Sequence, residues 1–306
     1  MDYSLLKTLC NIHAPSGNES AMTDFIVNYI EQNKSKWKVQ PQIFAGNDFQ
    51  NCIILVFGNP RAAVYAHMDN IGFTVRYNNE LVMIGKPHVS NGYHLCGTDS
   101  KGVVDCYVKI DDENEKLFYT CDREIDRGTD LSFKCFFKEE KDFIQSCYMD
   151  NRLGVFNALQ LCESLENGAI AFTCWEEHGG GSAGFCAKFL FEKFNIRQAL
   201  ISDITWITEG VHHGEGVVVS MRDTGIPRRI YVNRIIDVLL KNNFKFQLEV
   251  EGSGGSDGTE IQKQPYPIDW FFIGAGESNV HSPDERVHKA DIESMIACYK
   301  ILMASL

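Results

Sequence analysis

Several short apolar runs give way to a histidine or an acidic residue, and this feature most constrains how the chain can fold. The junctions are Ala62–Ala66 before His67, Ala169–Trp175 before Glu176 and Glu177, and Ala199–Ile201 shortly before Asp203. Runs this short and apolar are typical of strands covered on both faces, as in a parallel sheet. Because ligands bind at the carboxyl ends of such strands, these polar side chains are expected to meet at one edge.

Strand and helix patterns alternate along most of the chain. Apolar spacing predicts helices around Leu5–Leu9, Met22–Ile30, Leu153–Leu165, Phe185–Phe191 and Val232–Leu240, and from Ile292 onward. Further strands are predicted at Cys52–Phe57, Phe244–Val250 and Trp270–Ile273. This alternation predicts an α/β fold in which a mostly parallel sheet is flanked by helices. Ser16 and Glu19 have the spacing of a capping box at the start of the second helix.

Residues 72–145 differ from the rest of the chain. Short alternating segments are separated there by Gly, Asn and Asp turns: Leu81–Ile84, Gly102–Ile110, Lys116–Thr120 and Leu131–Phe137. This pattern predicts a small inserted β-rich domain, either a barrel or an open sheet. Residues 1–71 and 146–306 would then form one discontinuous α/β domain, and the apolar stretches of the insertion suggest an interface between subunits.

Composition excludes several classes of protein. The net charge of −12 argues against a nucleic-acid footprint. No cleavable signal and no run of 18 apolar residues is present, so secretion and membrane spanning are not expected. The eleven cysteines include no Cys-x-x-Cys pair, which disfavours a thiolate zinc site and fits free thiols in the cytoplasm.

The polar residues at these junctions have the chemistry of a dinuclear metal hydrolase. Such a centre needs a carboxylate between two divalent cations and further His and carboxylate ligands on each side. Asp150, at a predicted helix start, is the best bridging ligand. The terminal ligands would be His67 and Asp203 for one metal, and Glu177 and His281 for the other.

Two more acidic residues have predicted roles beside the metals. Glu176 follows the end of its strand, so it can face the shared water as general base. Asp69 would accept the remaining N–H of His67 and fix the tautomer of that imidazole. Other catalytic patterns are weaker, since Gly179–Gly181 lacks the residues of a phosphate loop and no Gly-x-Ser-x-Gly elbow is present.

The chain resembles the metallopeptidase family of glutamyl, leucyl and deblocking aminopeptidases, whose members include tetrahedral shells. The motifs that resemble the family run nearly end to end: Pro15-Ser16-Gly17 with Glu19, Ala66 to Phe73, Asp150-Asn151-Arg152-x-Gly154, Glu176-Glu177, Gly214-x-Gly216, Arg222-Asp223, Gly254 to Asp257, and His281-Ser282. Asn70 stands where many relatives carry Glu, and His178 where a small apolar residue is usual.

The resemblance implies a dinuclear exopeptidase with zinc, or alternatively cobalt or manganese, that removes N-terminal residues from peptides with a free N-terminus. It also implies a homo-oligomer, a dimer or larger, whose inserted domain serves in dimerisation. The same ligands and base follow from it residue by residue. Two alternatives stay open: a related dinuclear carboxypeptidase or N-acyl deacylase, for which Arg222 or Arg286 could hold a substrate carboxylate, and a non-catalytic peptide-binding protein.

Overall fold

The structure, a computed structural model, describes residues 1–306. Its seven α-helices are α1 Ser4–Cys10, α2 Ser20–Asn33, α3 Met149–Cys162, α4 Ser182–Phe194, α5 Arg229–Lys241, α6 Asp257–Gln262 and α7 Lys289–Ser305. Its seventeen strands are β1 Gln42–Phe44, β2 Ile53–Phe57, β3 Ala63–His67, β4 Gly72–Val75, β5 Glu80–Ile84, β6 His94–Asp99, β7 Gly102–Asp111, β8 Lys116–Thr120, β9 Asp130–Phe133, β10 Lys138–Glu139, β11 Phe143–Ser146, β12 Gly168–Thr173, β13 Gln198–Trp206, β14 Val218–Ser220, β15 Gln247–Glu249, β16 Asp269–Ser278 and β17 Glu285–His288.

Eleven strands form one large sheet in the order β1-β2-β12-β3-β13-β16-β17-β11-β10, with β14 and β15 attached beside β16. The central strands β12, β3, β13 and β16 run parallel, and antiparallel strands extend the sheet at both edges. Every residue of β3 and β12 is buried. Helix α3 packs on β3 and β13, α4 on β12, and α5 and α7 on β16. The predicted α/β fold class is therefore confirmed.

Strands β4 to β9 form a separate closed barrel in the order β4-β5-β8-β7-β6-β9. Along β7, the side chains of Val104, Cys106 and Val108 belong to a buried cluster of 14 residues, while Val103 and Tyr107 face outward. The chain then returns to the main sheet through β10 and β11. The small β-rich domain is confirmed as part of the fold, while the boundaries 72–145 and the role in dimerisation stay predictions.

The start of α2 differs from the predicted capping box. The helix begins at Ser20, and the Glu19 carboxylate accepts a hydrogen bond from the backbone N–H of Gly17 at 2.7 Å. The Ser16 hydroxyl instead donates to Asp69 Oδ2 at 2.6 Å. The prediction was wrong because the hydroxyl of Ser16 bonds the buried carboxylate of Asp69, which is distant in sequence. A hydrogen bond to a charged group is stronger than one to a neutral backbone N–H at a helix start.

The strands that support the functional site also differ in length from the predictions. β13 and β16 pair over nine residues, from Gln198–Asp269 to Trp206–Glu277, so both run further than their apolar cores. Asp203 consequently lies within β13, three residues before its end. β15 spans only Gln247–Glu249. None of the helices combines the length and the apolar character that crossing a membrane requires.

Candidate metal centre

The first group of ligand-type side chains consists of His67, Asp150 and Asp203. His67 is the last residue of β3, and Asp150 lies at the start of α3 before the helical geometry is established. His67 Nε2 lies 3.1 Å from Asp150 Oδ1 and 3.6 Å from Asp203 Oδ2. One atom from each of the three residues lies within 4.8 Å of the others, a spacing that suits one cation.

The second group consists of Asp150, Glu177 and His281, with the same 4.8 Å spacing. His281 Nε2 lies 3.3 Å from Asp150 Oδ2 and 3.2 Å from Glu177 Oε2. Asp150 thus presents one oxygen to each group. Glu177 Oε1 is buried and has no hydrogen-bond partner. The donor set therefore fits two divalent cations with the Asp150 carboxylate between them.

The electrostatics of the centre also fit cations. Burial, together with the neighbouring carboxylates Glu177 and Asp203, raises the pKa of Glu176 well above its ordinary value. Burial opposes the charge on His281, but hydrogen bonds to Asp150 and Glu177 raise its pKa to about 12. Both observations report an excess of negative charge at the site, which bound divalent cations would neutralise.

Hydrogen bonds orient both imidazoles with Nε2 toward the site. His67 Nδ1 lies 3.3 Å from the carbonyl oxygen of Asp69 and 3.4 Å from Asp69 Oδ1. His281 Nδ1 lies 3.1 Å from the carbonyl oxygen of Lys86. Because a carbonyl oxygen can only accept, Nδ1 carries the proton in the neutral form of each imidazole, and the Nε2 lone pair of that form is free to bind a cation.

Asp69 is fully buried and connects three segments of the chain. Its Oδ2 accepts from the hydroxyl of Ser16 at 2.6 Å and from the backbone N–H of Glu177 at 3.1 Å. Its Oδ1 accepts from the backbone N–H of Glu176 at 3.2 Å. Burial raises the pKa of Asp69, but the hydrogen bonds from His67 and Ser16 outweigh it, so the net pKa is lowered. Asp69 does not line the cavity, and it positions its neighbours.

Glu176 lies beside both groups of ligand-type side chains and lines the same cavity. One carboxylate oxygen lies 3.9 Å from His67 Nε2, and 18% of the side chain is exposed. It is absent from both three-residue groups, so its carboxylate is available for proton transfer.

Sequence reasoning did not identify Glu285, which holds two of the predicted ligands in place. Its side chain is fully buried and accepts from the backbone N–H of His281 at 2.9 Å and from that of Asp150 at 3.3 Å. Nothing in the local sequence around β17 distinguishes Glu285 from a surface residue of an edge strand. Only the pairing of β17 with β16 and β11 places it behind the metal centre.

The barrel also contributes to the centre, through residues 85–88. The backbone N–H of Gly85 donates to His178 Nδ1 at 3.0 Å, and the backbone N–H of His88 donates to the carbonyl of His281 at 2.9 Å. Lys86 and His88 therefore line the cavity together with the predicted ligands. His178, which follows the Glu pair, anchors this loop.

The cavity above the ligands has a volume of about 530 Å³. Seven acidic residues line it: Asp150, Glu176, Glu177, Asp203, Asp223, Glu249 and Glu251. Lys86 is its one Lys or Arg. Arg222 and Arg286 lie outside the lining, and Arg286 instead bonds Glu140 and covers the ring of Phe143.

A family model described as M42 glutamyl aminopeptidase matches residues 81–298, which is more than half of the chain. A curated relative from Acetivibrio thermocellus, named "Putative aminopeptidase", is 26% identical over 325 residues, which cover 96% of both chains.

Solved structures share the whole architecture. An aminopeptidase from the archaeon Desulfurococcus kamchatkensis superimposes with a TM-score of 0.86 at 19% identity, covering 99% of this chain and 94% of that one. The TET1 peptidase of Pyrococcus horikoshii, described as assembling into a tetrahedron or a large octahedral shell, gives a TM-score of 0.80 at 20% identity over 98% of each chain.

Proposed function

The chain belongs to the M42 glutamyl aminopeptidase family, and from this premise we propose that it is a dinuclear metal aminopeptidase that removes the N-terminal residue of peptides. One observation carries the proposal. The two ligand groups share Asp150 through different oxygens, with Glu176 beside them and outside both groups. This is the arrangement that a two-metal hydrolase with a separate carboxylate base requires.

Each cation has a defined set of residues. His67, Asp150 and Asp203 would hold the first, and Asp150, Glu177 and His281 the second. Imidazole with carboxylate ligands suits zinc best, and cobalt or manganese are the alternatives. When bound, the cations supply Lewis acidity to the scissile carbonyl and lower the pKa of the attacking water.

Glu176 carries the proton transfers. Its carboxylate accepts a proton from the attacking water and then gives that proton to the leaving amine. The N–H groups of Glu176 and Glu177 both donate to Asp69, so one buried carboxylate fixes the position of the base and of a ligand together. The backbone hydrogen bonds to Glu285 fix Asp150 and His281 in the same way.

The charge of the cavity supports selection of a free N-terminus. A peptide with a free α-amino group brings a cation into a lining that keeps four acidic side chains outside the two ligand groups, namely Glu176, Asp223, Glu249 and Glu251. A carboxypeptidase or an N-acyl deacylase would instead use a cationic side chain to hold a substrate carboxylate. Arg222 and Arg286, the two arginines considered for that role, both lie outside the lining, and Lys86 is the single cationic side chain among seven acidic ones. This balance of charge favours the aminopeptidase.

The test combines metal analysis with turnover. We expect close to two metals per chain, hydrolysis of aminoacyl anilides that a chelator abolishes, and recovery with zinc, cobalt or manganese. Glu176→Gln should lower kcat by about 10²–10⁴-fold with metals still bound. Glu209→Gln, the same substitution at an exposed residue outside the cavity, is the control.

Peptides blocked at one terminus separate the alternatives. Turnover only with a free N-terminus supports the aminopeptidase, and turnover that needs a free C-terminus or an acylated N-terminus indicates the carboxypeptidase or the deacylase. Wild-type turnover by Glu176→Gln with both metals bound would refute the mechanism. Peptide binding without metals or turnover would indicate the non-catalytic protein.

A homo-oligomer, a dimer or larger, is the expected assembly, with the inserted domain 72–145 as the dimerisation unit. The barrel exposes Val82, Met83, Val103 and Tyr107 to solvent. The structural relatives include one described as a dodecamer. Light scattering should give a mass above that of one chain, reduced by Val103→Asp, and a monomeric wild type would contradict this assembly.

All eleven cysteines are free, which fits the predicted cytoplasmic location.

A further inference from the structure

Besides the ligands, the lining of the cavity includes two groups of residues with different chemistry. Lys86 and His88 from the barrel form the first group, called the open end below. This end adjoins a second cavity of about 820 Å³, and the two cavities share His88, Trp206 and Val280 in their walls. The second cavity reaches the surface at the exposed residues Asn279 and Asp284. This end therefore gives a long substrate a way out.

The second group, called the closed end below, consists of buried residues of the lining. Ser220, Asp223, Glu249 and Phe272 line it, and each is at most 8% exposed. An exopeptidase that releases one N-terminal residue needs a closed pocket for that residue and an open path for the remaining peptide. If the proposed function holds, the side chain of the N-terminal residue therefore occupies the closed end.

The closed end carries carboxylates that no Lys or Arg neutralises. Glu249 is 6% exposed and accepts a hydrogen bond from the hydroxyl of Thr205. Glu251 lies at the rim, and its Oε1 accepts from the backbone N–H of Gly252 at 2.7 Å. Asp223 is buried and already accepts from Ser256 and Gly225, so it adds negative charge without a free position for a ligand.

Trp206, which borders both cavities, supplies an aromatic surface in the lining that also includes these carboxylates. The residue ends β13, is 37% exposed, and lies against Gly254 in the wall of the cavity. A long cationic side chain can pack its methylene groups on such a ring while its charged head meets a carboxylate.

We propose that the closed end selects N-terminal lysine and arginine, with the stem of the side chain on Trp206 and its cationic head between Glu249 and Glu251. A glutamyl side chain there would share the lining with three carboxylates, and like charges repel. The preference of this chain thus departs from the glutamyl specificity in the description of its family.

The experiment compares substrates that differ only in the charged head. The metal-loaded enzyme is assayed with lysyl, norleucyl and glutamyl anilides, because norleucine keeps the lysine stem without the ammonium group. We expect kcat/KM for lysine to exceed that for norleucine by about tenfold or more, as a charge-assisted contact in a partly buried site provides. The glutamyl substrate should be the poorest.

Glu251→Gln should reduce the lysine-to-norleucine ratio about tenfold, mainly through KM, because it removes the charge but keeps the shape. Glu209→Gln should leave the ratio unchanged. Turnover with no preference for lysine, or a ratio that Glu251→Gln leaves intact, would overturn the inference while the aminopeptidase stands. If the metal-loaded enzyme turned over none of these substrates, the proposed function would be overturned instead.

Discussion

Replacing Asp69 with asparagine tests whether one buried carboxylate organises the metal centre. Three donors converge on it: the hydroxyl of Ser16 and the backbone N–H of Glu177 at Oδ2, and the backbone N–H of Glu176 at Oδ1. The amide of asparagine accepts through one atom only. Whichever way it is turned, at least one donor then faces an NH₂ group and loses its partner.

The expected loss follows from the number and kind of these hydrogen bonds. The least disruptive orientation places the amide nitrogen at the Oδ1 position, so the N–H of Glu176 loses its acceptor, and His67 Nδ1, which lies 3.4 Å from Oδ1, keeps only the carbonyl oxygen of Asp69. A hydrogen bond to a charged group contributes about 1.5–3 kcal/mol. Because Glu177 is held by the same side chain, we expect Asp69→Asn to weaken metal binding by about 10–100-fold, as other partners behind metal ligands do.

The assay measures metal affinity and stability separately. Competition with a chromophoric chelator gives the two dissociation constants, and urea unfolding of the metal-free protein gives the stability. Asp291→Asn is the matched control, because Asp291 is also fully buried and accepts two backbone N–H groups, from Gly214 and Gly216, but lies outside the cavity lining. Wild-type metal affinity in Asp69→Asn, at a loss of stability similar to that of Asp291→Asn, would refute the reasoning.

Three further substitutions test the surroundings of the centre. Gly85 has φ +69°, and an added Cβ would lie 2.7 Å from Ile71 Cγ2 and 3.2 Å from the carbonyl oxygen of Glu177, so Gly85→Ala should cost about 1–2 kcal/mol of stability and weaken one of the two proposed metal sites in the chelator assay. Arg152 is fully buried and donates to the carbonyl of Met68, so Arg152→Leu should lower the free energy of unfolding by about 3 kcal/mol, and an unchanged urea midpoint would contradict this. Burial raises the pKa of Asp257 to about 6. The wild type therefore loses stability as the pH rises from about 4 to about 6, where the carboxyl ionises in the unfolded chain before it does in the folded one, and the loss is complete above that range. Asp257→Asn lacks this loss, so its free energy of unfolding relative to the wild type should rise by up to about 3 kcal/mol between pH 4 and pH 8 in metal-free unfolding experiments.

The central strands and the candidate ligands could be predicted because both depend on local sequence. β3 and β12 are apolar throughout, and only a strand buried on both faces suits such a run. His67 and Glu176 follow those runs directly, so the topology rule for parallel sheets was sufficient to bring them together. Their proximity required no knowledge of side-chain packing.

The remaining features depend on contacts between distant segments. Glu285 reaches the centre only through the pairing of β17 with β11 and β16. Ser16 does not cap the helix as predicted, and its hydroxyl donates instead to Asp69, which lies 53 residues away in the sequence. Glu249 looks like an ordinary residue of a short alternating strand. Its position at the closed end follows from the attachment of β14 and β15 beside β16, which no local pattern encodes.

The hydrogen bonds of residues 85–88 set a limit on how the two domains can be exchanged. The carbonyl of Lys86 accepts the proton of His281 Nδ1, and the backbone N–H of Gly85 donates to His178. The loop 85–88 of the barrel therefore completes the candidate metal centre. A chimera that replaced the barrel as an independent module would also replace the acceptor that orients a ligand. Recombination between relatives would therefore preserve activity only when this loop and the α/β domain that it contacts come from the same parent.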